Sequence, residues 1–142
     1  MCSSDLGAAA ISVLTEARHF DGSLADLRAV RLTTSIPVLR KDFLVHPAQL
    51  MEARVEGADA VLLIAAALTE PELRAMIATA EDLDLGALVE VHSERDLEVA
   101  IVVDAKVVGV NARDLETLEV DTDRAMDLLA RVPADQIGRA HV

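Results

Sequence analysis

Short apolar runs rich in Val, Ile and Leu recur along this chain, and a stretch with helical spacing follows each one. Residues 9–14, 37–39, 60–64, 87–91 and 107–110 are the strand candidates, and their starts lie 28, 23, 27 and 20 residues apart. That interval is the length of one strand plus one helix plus two short turns. Runs this short and this apolar suit strands covered on both faces, the condition of a parallel sheet. The intervening segments carry start signals. Ser23-Leu24-Ala25-Asp26 resembles a capping box, Thr69-Glu70-Pro71-Glu72 is a full one, Ser93-Glu94-Arg95-Asp96 opens a helix, Asp121 caps the last one, and Pro47 suits a first helical turn. Gly57 suits the position just past a helix end, and His46 a helix entry. Apolar residues three and four apart, such as Leu73, Met76, Ile77 and Ala80, mark helices with one buried face. Right-handed crossovers between such units make the strands parallel, in either an open doubly wound sheet or part of a (βα)8 barrel.

Composition narrows the function. The chain has 142 residues, is 52% hydrophobic, and its longest unbroken apolar run, 60–68, is too short to span a bilayer. A net charge of −12 with no basic patch speaks against nucleic acid. The single cysteine, Cys2, allows no internal disulfide, and the N-terminus has no basic-then-apolar pattern, so a reducing cytoplasm is expected. No Gly-x-Gly-x-x-Gly or Walker-type loop follows the first run.

The ends of the strands carry the chemistry. In Ile36-Pro37-Val38-Leu39-Arg40-Lys41-Asp42-Phe43 an apolar strand stops in three charged residues and an aromatic. Period-two alternation puts Leu39, Lys41 and Phe43 on one face and Val38 and Arg40 on the other. Lys41 is one of only two lysines, against eleven arginines, and the carboxyl end of a strand is where α/β folds bind ligands. Glu90 is the second anomaly, a carboxylate on the Leu88 face of an otherwise apolar strand. Buried alone it would cost several kcal/mol or lose its charge. A lysine partner would remove that cost and supply an acid and a base together. Ser12 and Asn111 occupy equivalent ends of the first and fifth strands. His19, His46 and His92 show no metal-ligand spacing, so no metal is expected.

Taken together, Ile11-Ser12-Val13-Leu14-Thr15-Glu16, Val38-Leu39-Arg40-Lys41-Asp42-Phe43, Gly57-Ala58-Asp59-Ala60-Val61-Leu62-Leu63-Ile64, Leu88-Val89-Glu90-Val91-His92 and Gly109-Val110-Asn111-Ala112-Arg113-Asp114-Leu115 resemble indole-3-glycerol-phosphate synthase. The resemblance runs from about Gly7 to Ala134. It implies an α/β chain forming part of a (βα)8 TIM barrel, five consecutive βα units from the family's second strand to its sixth helix. It implies a decarboxylating lyase of tryptophan biosynthesis that needs no cofactor. The family turns 1-(2-carboxyphenylamino)-1-deoxyribulose 5-phosphate into indole-3-glycerol phosphate, releasing carbon dioxide and water. By the same resemblance Lys41 is the general acid at the substrate carbonyl, Glu90 serves proton transfer at dehydration, and Asn111 and Ser12 orient the substrate. Phe43, Leu62 and Leu115 would line the pocket for the anthranilate ring, supported by Arg113.

The family's first strand with its Glu-x-Lys, the seventh strand's Glu-Ser-Gly and the glycine-rich phosphate loop have no counterpart here. The chain is therefore expected to be an inactive central fragment. Cys2-Ser3-Ser4-Asp5-Leu6 and Ile137-Gly138-Arg139-Ala140-His141-Val142 both read as translations of a sequencing adapter. Residues 1–6 and 137–142 are accordingly expected to be non-native, flanking a partial barrel domain at 7–136. Two other readings stand beside this one. One is a different phosphate-binding barrel enzyme, against which Lys41, Glu90 and the Asn111-Ala112-Arg113-Asp114-Leu115 run argue. The other is a non-catalytic fragment that associates through open sheet edges.

Overall fold

The computed structural model describes residues 7–113 and 119–141. The expected leader at 1–6 and Leu115 lie outside the described residues. The chain divides into two compact units, Met1–Leu62 with Ala78–Gly86, and Leu63–Ile77 with Ala87–Val142. The elements alternate: β1 (Ile11–Leu14), α1 (Ala17–Phe20), α2 (Leu24–Thr33), β2 (Val38–Lys41), α3 (Pro47–Val55), β3 (Ala60–Ile64), α4 (Glu70–Asp82), β4 (Gly86–Val91), α5 (Glu94–Val102), β5 (Val107–Asn111), α6 (Thr122–Ala130) and β6 (Ile137–His141). Five βα units with parallel strands are present, as the sequence spacing predicts. In the first unit β1 pairs with β2 and β2 with β3; in the second β4 pairs with β5 and β5 with β6, all parallel.

Three features go beyond the sequence expectation. A 3-10 turn (Ala65–Ala67) follows β3. The four-residue α1 has no buried face; it forms because the Glu16 carboxylate accepts the backbone N–H groups of Arg18 at 2.8 Å and His19 at 2.7 Å. The sixth strand takes up the backbone groups on the outer side of β5.

Local chemistry starts and stops the helices where the sequence signals them. The Ser23 hydroxyl accepts the Asp26 N–H, and Ser93 accepts the Asp96 N–H, each at 3.2 Å. His46 enters α3 through its ring, whose Nδ1 accepts the Ala48 N–H at 3.1 Å. The Gln49 side chain reaches back to accept the His46 N–H at 3.0 Å. α3, α4 and α5 all end in the same turn. Gly57, Asp84 and Asp104 take positive φ of 92°, 54° and 58°. The following N–H of Ala58, Leu85 or Ala105 then closes onto the carbonyl of Ala53, Ala80 or Ala100 at 2.8–3.0 Å. That same residue is buried in each case, so each helix exit plants an apolar side chain before the next strand starts.

The core of the first unit includes Leu27, Val38, Leu50, Ala53, Val61 and Ala80; that of the second includes Leu63, Leu73, Val89, Val91, Leu97, Val108 and Val110. Each large aliphatic side chain so buried contributes about 1.5–3 kcal/mol. In β2, the flanks of Lys41 are the exception to this apolar rule.

Candidate active site

The first unit carries Ser12, Lys41, Phe43 and Leu62. Parallel pairing sets Ser12 beside Leu39 and Leu14 beside Lys41. Paired residues project to the same side of a sheet, so Ser12, Leu14, Leu39 and Lys41 share one face while Val13 and Arg40 share the other. The β2–β3 register, Leu39 beside Ala60 and Arg40 beside Val61, puts Leu62 on the Lys41 face. Leu62 is buried, Lys41 half-buried, and Ser12 and Phe43 are exposed.

Behind Lys41 lies a polar network that sequence reading did not find. Arg40 is 4% exposed and faces away from Lys41. Its Nε donates to Thr15 Oγ1 at 3.0 Å, its Nη1 to the Gln49 carbonyl at 2.7 Å, and its Nη2 to Asp42 Oδ2 at 3.0 Å. The Thr15 hydroxyl donates to the same Asp42 oxygen at 2.7 Å, while Asp42 Oδ1 accepts the Phe43 N–H at 2.8 Å. The Thr15 N–H donates to the Lys41 carbonyl at 3.1 Å. Lys41 is thus held by the residues before and after it, and by the end of the neighbouring strand. The signal was present in sequence: Arg40 and Asp42 sit two apart, on the face opposite Lys41.

The second unit carries Glu90, Asn111 and Arg113. Glu90 is 7% exposed and pairs in register with Gly109. A Cβ at Gly109 would sit 3.2 Å from Leu88 Cδ1, so the absent side chain accommodates Leu88, two residues before Glu90 on the same face. Asn111, one step further along the same face, donates from Nδ2 to Glu90 Oε1 at 3.2 Å. Its own carbonyl Oδ1 accepts the Arg113 N–H at 2.9 Å. A backbone N–H can only donate, so this bond fixes which end of the amide faces the carboxylate. Arg113 itself is exposed, and its backbone bridges antiparallel to Val120.

His92, which the sequence offers only as a poor metal ligand, has a different place in the structure. It is 8% exposed, and its Nε2 lies 3.3 Å from Glu90 Oε1. Its backbone N–H donates to Asp96 Oδ2 at 2.9 Å, which ties the end of β4 to the first turn of α5. The pattern Glu-x-His on a strand, two residues on one face, was the available signal. The structure therefore groups Glu90, His92 and Asn111 in one unit and places Ser12, Lys41 and Leu62 along one face of the other.

Strands that pair in parallel with their chain neighbours, each followed by a helix, with polar side chains gathered at their carboxyl ends, define the (βα)8-barrel class. Two solved structures share this fold. The 3-keto-L-gulonate-6-phosphate decarboxylase of Vibrio cholerae aligns with a TM-score of 0.73 at 16% identity, over 99% of this chain and 71% of that one. KGPDC from Streptococcus mutans aligns with a TM-score of 0.68 at 13% identity, over 96% and 76%.

The family model for indole-3-glycerol phosphate synthase matches residues 3–140, and the chain belongs to that family. The indole-3-glycerol phosphate synthase of Mycolicibacterium vanbaalenii is 54% identical over 94% of this chain and 49% of its own length. Indole-3-glycerol phosphate synthase 1 of Streptomyces coelicolor is 57% identical over 90% and 48%. The chain thus spans about half the length of the curated relatives it matches.

Proposed function

We propose that this chain is the central part of a longer indole-3-glycerol-phosphate synthase, converting 1-(2-carboxyphenylamino)-1-deoxyribulose 5-phosphate into indole-3-glycerol phosphate with loss of carbon dioxide and water. The observation that carries the reading is Glu90: a buried carboxylate at the carboxyl end of a parallel strand, oriented by Asn111. A carboxylate so placed suits proton transfer better than folding, because burying it costs more than an apolar side chain would.

In this reading Lys41 donates to the ribulose carbonyl oxygen while the anthranilate ring carbon attacks the carbonyl carbon. Carbon dioxide then leaves the ring, and the new hydroxyl leaves as water with Glu90 carrying a proton. Asn111 and Ser12 orient the substrate. Phe43, Leu62 and Leu115 enclose the aromatic ring, with Arg113 in support. The residues that grip the phosphate belong to other parts of the longer protein, and the isolated chain does not turn over. The outer edge of β1 is the proposed surface for self-association of the isolated chain. Among the described residues no helix is long and apolar enough to cross a membrane. A phosphorylated substrate, which does not cross membranes freely, supports a cytoplasmic location.

A chimera tests the proposal. Residues 9–134 replace the corresponding segment of the full-length Streptomyces coelicolor relative, and product formation is followed by indole fluorescence. The chimera should turn over, and Lys41→Ala within it should cut kcat by roughly 100-fold or more. A folded chimera without turnover, or an active one indifferent to Lys41→Ala, would sink the reading.

A further inference from the structure

Beyond the residues already assigned, a buried imidazole directly follows β4, and the fold does not require its placement. The His92 side chain is 9% exposed, as is that of Glu90, and neither ring nitrogen forms a hydrogen bond. Buried polar atoms without partners cost stability, and natural cores keep few of them. An apolar side chain there, like that of Leu88 on the same face, would carry no such cost. The backbone contact to Asp96 is made by the His92 N–H, so it does not call for an imidazole.

What the imidazole does address is one oxygen. Nε2 lies 3.3 Å from Glu90 Oε1, the atom that also receives Asn111 Nδ2 at 3.2 Å. A bare Nε2 lone pair facing a carboxylate oxygen at this distance would repel it. The neutral tautomer that carries its hydrogen on Nε2 instead offers that oxygen a donor proton. A small turn of the ring brings that proton into line. From these observations we infer that His92 is a positioning residue for Glu90: with Asn111 it pins Oε1 from two sides and so sets the direction in which Glu90 presents its proton. The inference rests on the synthase reading, because it assumes that Glu90 moves a proton during turnover. A carboxylate free to rotate would spend part of its time misdirected, and misplacement of a reacting group by about 1 Å costs on the order of 100-fold in rate.

The experiment is a double-mutant cycle in the active chimera. His92→Leu should lower kcat about 10- to 100-fold with KM changed by less than about 3-fold, since the substrate is still held by other groups. His92→Gln, whose amide N–H reaches the same oxygen, should restore kcat to within about 5-fold. In a Glu90→Gln background, His92→Leu should cost less than about 2-fold more, because the group it positions has lost its proton chemistry. The inference is overturned if His92→Leu leaves kcat unchanged, if it raises KM alone, or if it costs the same factor with and without Glu90. If His92→Leu lowers the melting temperature, the glutamine variant and the cycle still decide, since a purely structural loss would persist in the Glu90→Gln background. Turnover by the unsubstituted chimera tests the synthase reading separately, so the two failures are distinct.

Discussion

Replacing Arg40 by Met is the sharpest probe of what holds Lys41 in place. Three well-formed bonds would disappear, to Thr15 Oγ1 at 3.0 Å, the Gln49 carbonyl at 2.7 Å and Asp42 Oδ2 at 3.0 Å. The fourth contact, to Glu52 at 3.4 Å, counts for little because Glu52 is 52% exposed. Asp42, only 12% exposed, would keep the Thr15 hydroxyl and the Phe43 N–H but lose its counter-charge. Removing one member of a buried pair costs about 3–5 kcal/mol, and the methionine stem returns roughly 1 kcal/mol of packing. The net loss is then about 2–4 kcal/mol, which in a barrel-sized protein lowers Tm on the order of 10 °C. Arg40→Lys should lose most of the same amount, since one ammonium cannot reach three acceptors set around a planar fork. Differential scanning calorimetry of the chimera reads the stability, and kcat reads the strand end. We expect kcat to fall with Arg40→Met, because the flanks of Lys41 are no longer tied to Thr15. A Tm within about 2 °C of the parent, with kcat unchanged, would refute the argument.

Two further predictions concern folding rather than catalysis. Gly57→Ala puts a Cβ at φ 92°, only 2.6 Å from Arg31 Cγ. It should also dislodge Arg31 from Asp59 and from the Thr34 carbonyl. It should cost about 1–3 kcal/mol, read as a drop of several degrees in Tm, and an unchanged Tm would contradict the steric argument. Glu72 is held below its ordinary value of 4.5 by the Thr69 hydroxyl first and the Thr69 N–H second, at 2.7 and 2.8 Å. Its folded pKa is depressed, so its support for α4 is complete above the unfolded value and fades as pH falls through the folded one. Carboxyl-detected NMR should show Glu72 titrating below 4.5 and Thr69→Ala moving it back up; an ordinary midpoint in both would refute the capping role.

Helix starts were legible because each is decided within four residues. Ser23, Thr69, Ser93 and Asp121 announce themselves by side chains that bond to the next turn, and no distant contact is needed to read them. Helix ends were only half legible. Gly57 was recognisable as a left-handed position, whereas Asp84 and Asp104 perform the same turn with side chains that tolerate positive φ less well. What favours the turn at those two sites is the residue after it: Leu85 and Ala105 are buried, and the turn is what delivers them there. The α1 helix was invisible for the opposite reason. Four residues cannot show a 3.6-residue period, and the Glu16 carboxylate that holds them precedes them.

The strand ends show where reading one strand at a time stops working. Alternation along β2 separates Lys41 from Arg40, but it cannot say whether the buried arginine is satisfied. That answer lies in Thr15, one strand away, and in Gln49, on the helix that follows. The same holds for Glu90. Its burial could be suspected from Leu88, Val89 and Val91, yet its partners come from a second strand and from a residue beyond the apolar run. A lone carboxylate in an apolar strand looks like a defect until the register places Asn111 diagonally opposite and His92 one step above it. Parallel pairing therefore decides which polar residues become partners. A slip of one residue between β4 and β5 would turn Asn111 to the other face and strip the buried Glu90 of its amide donor. The register that folds the second unit is thus the same one that assembles its proton-handling residues.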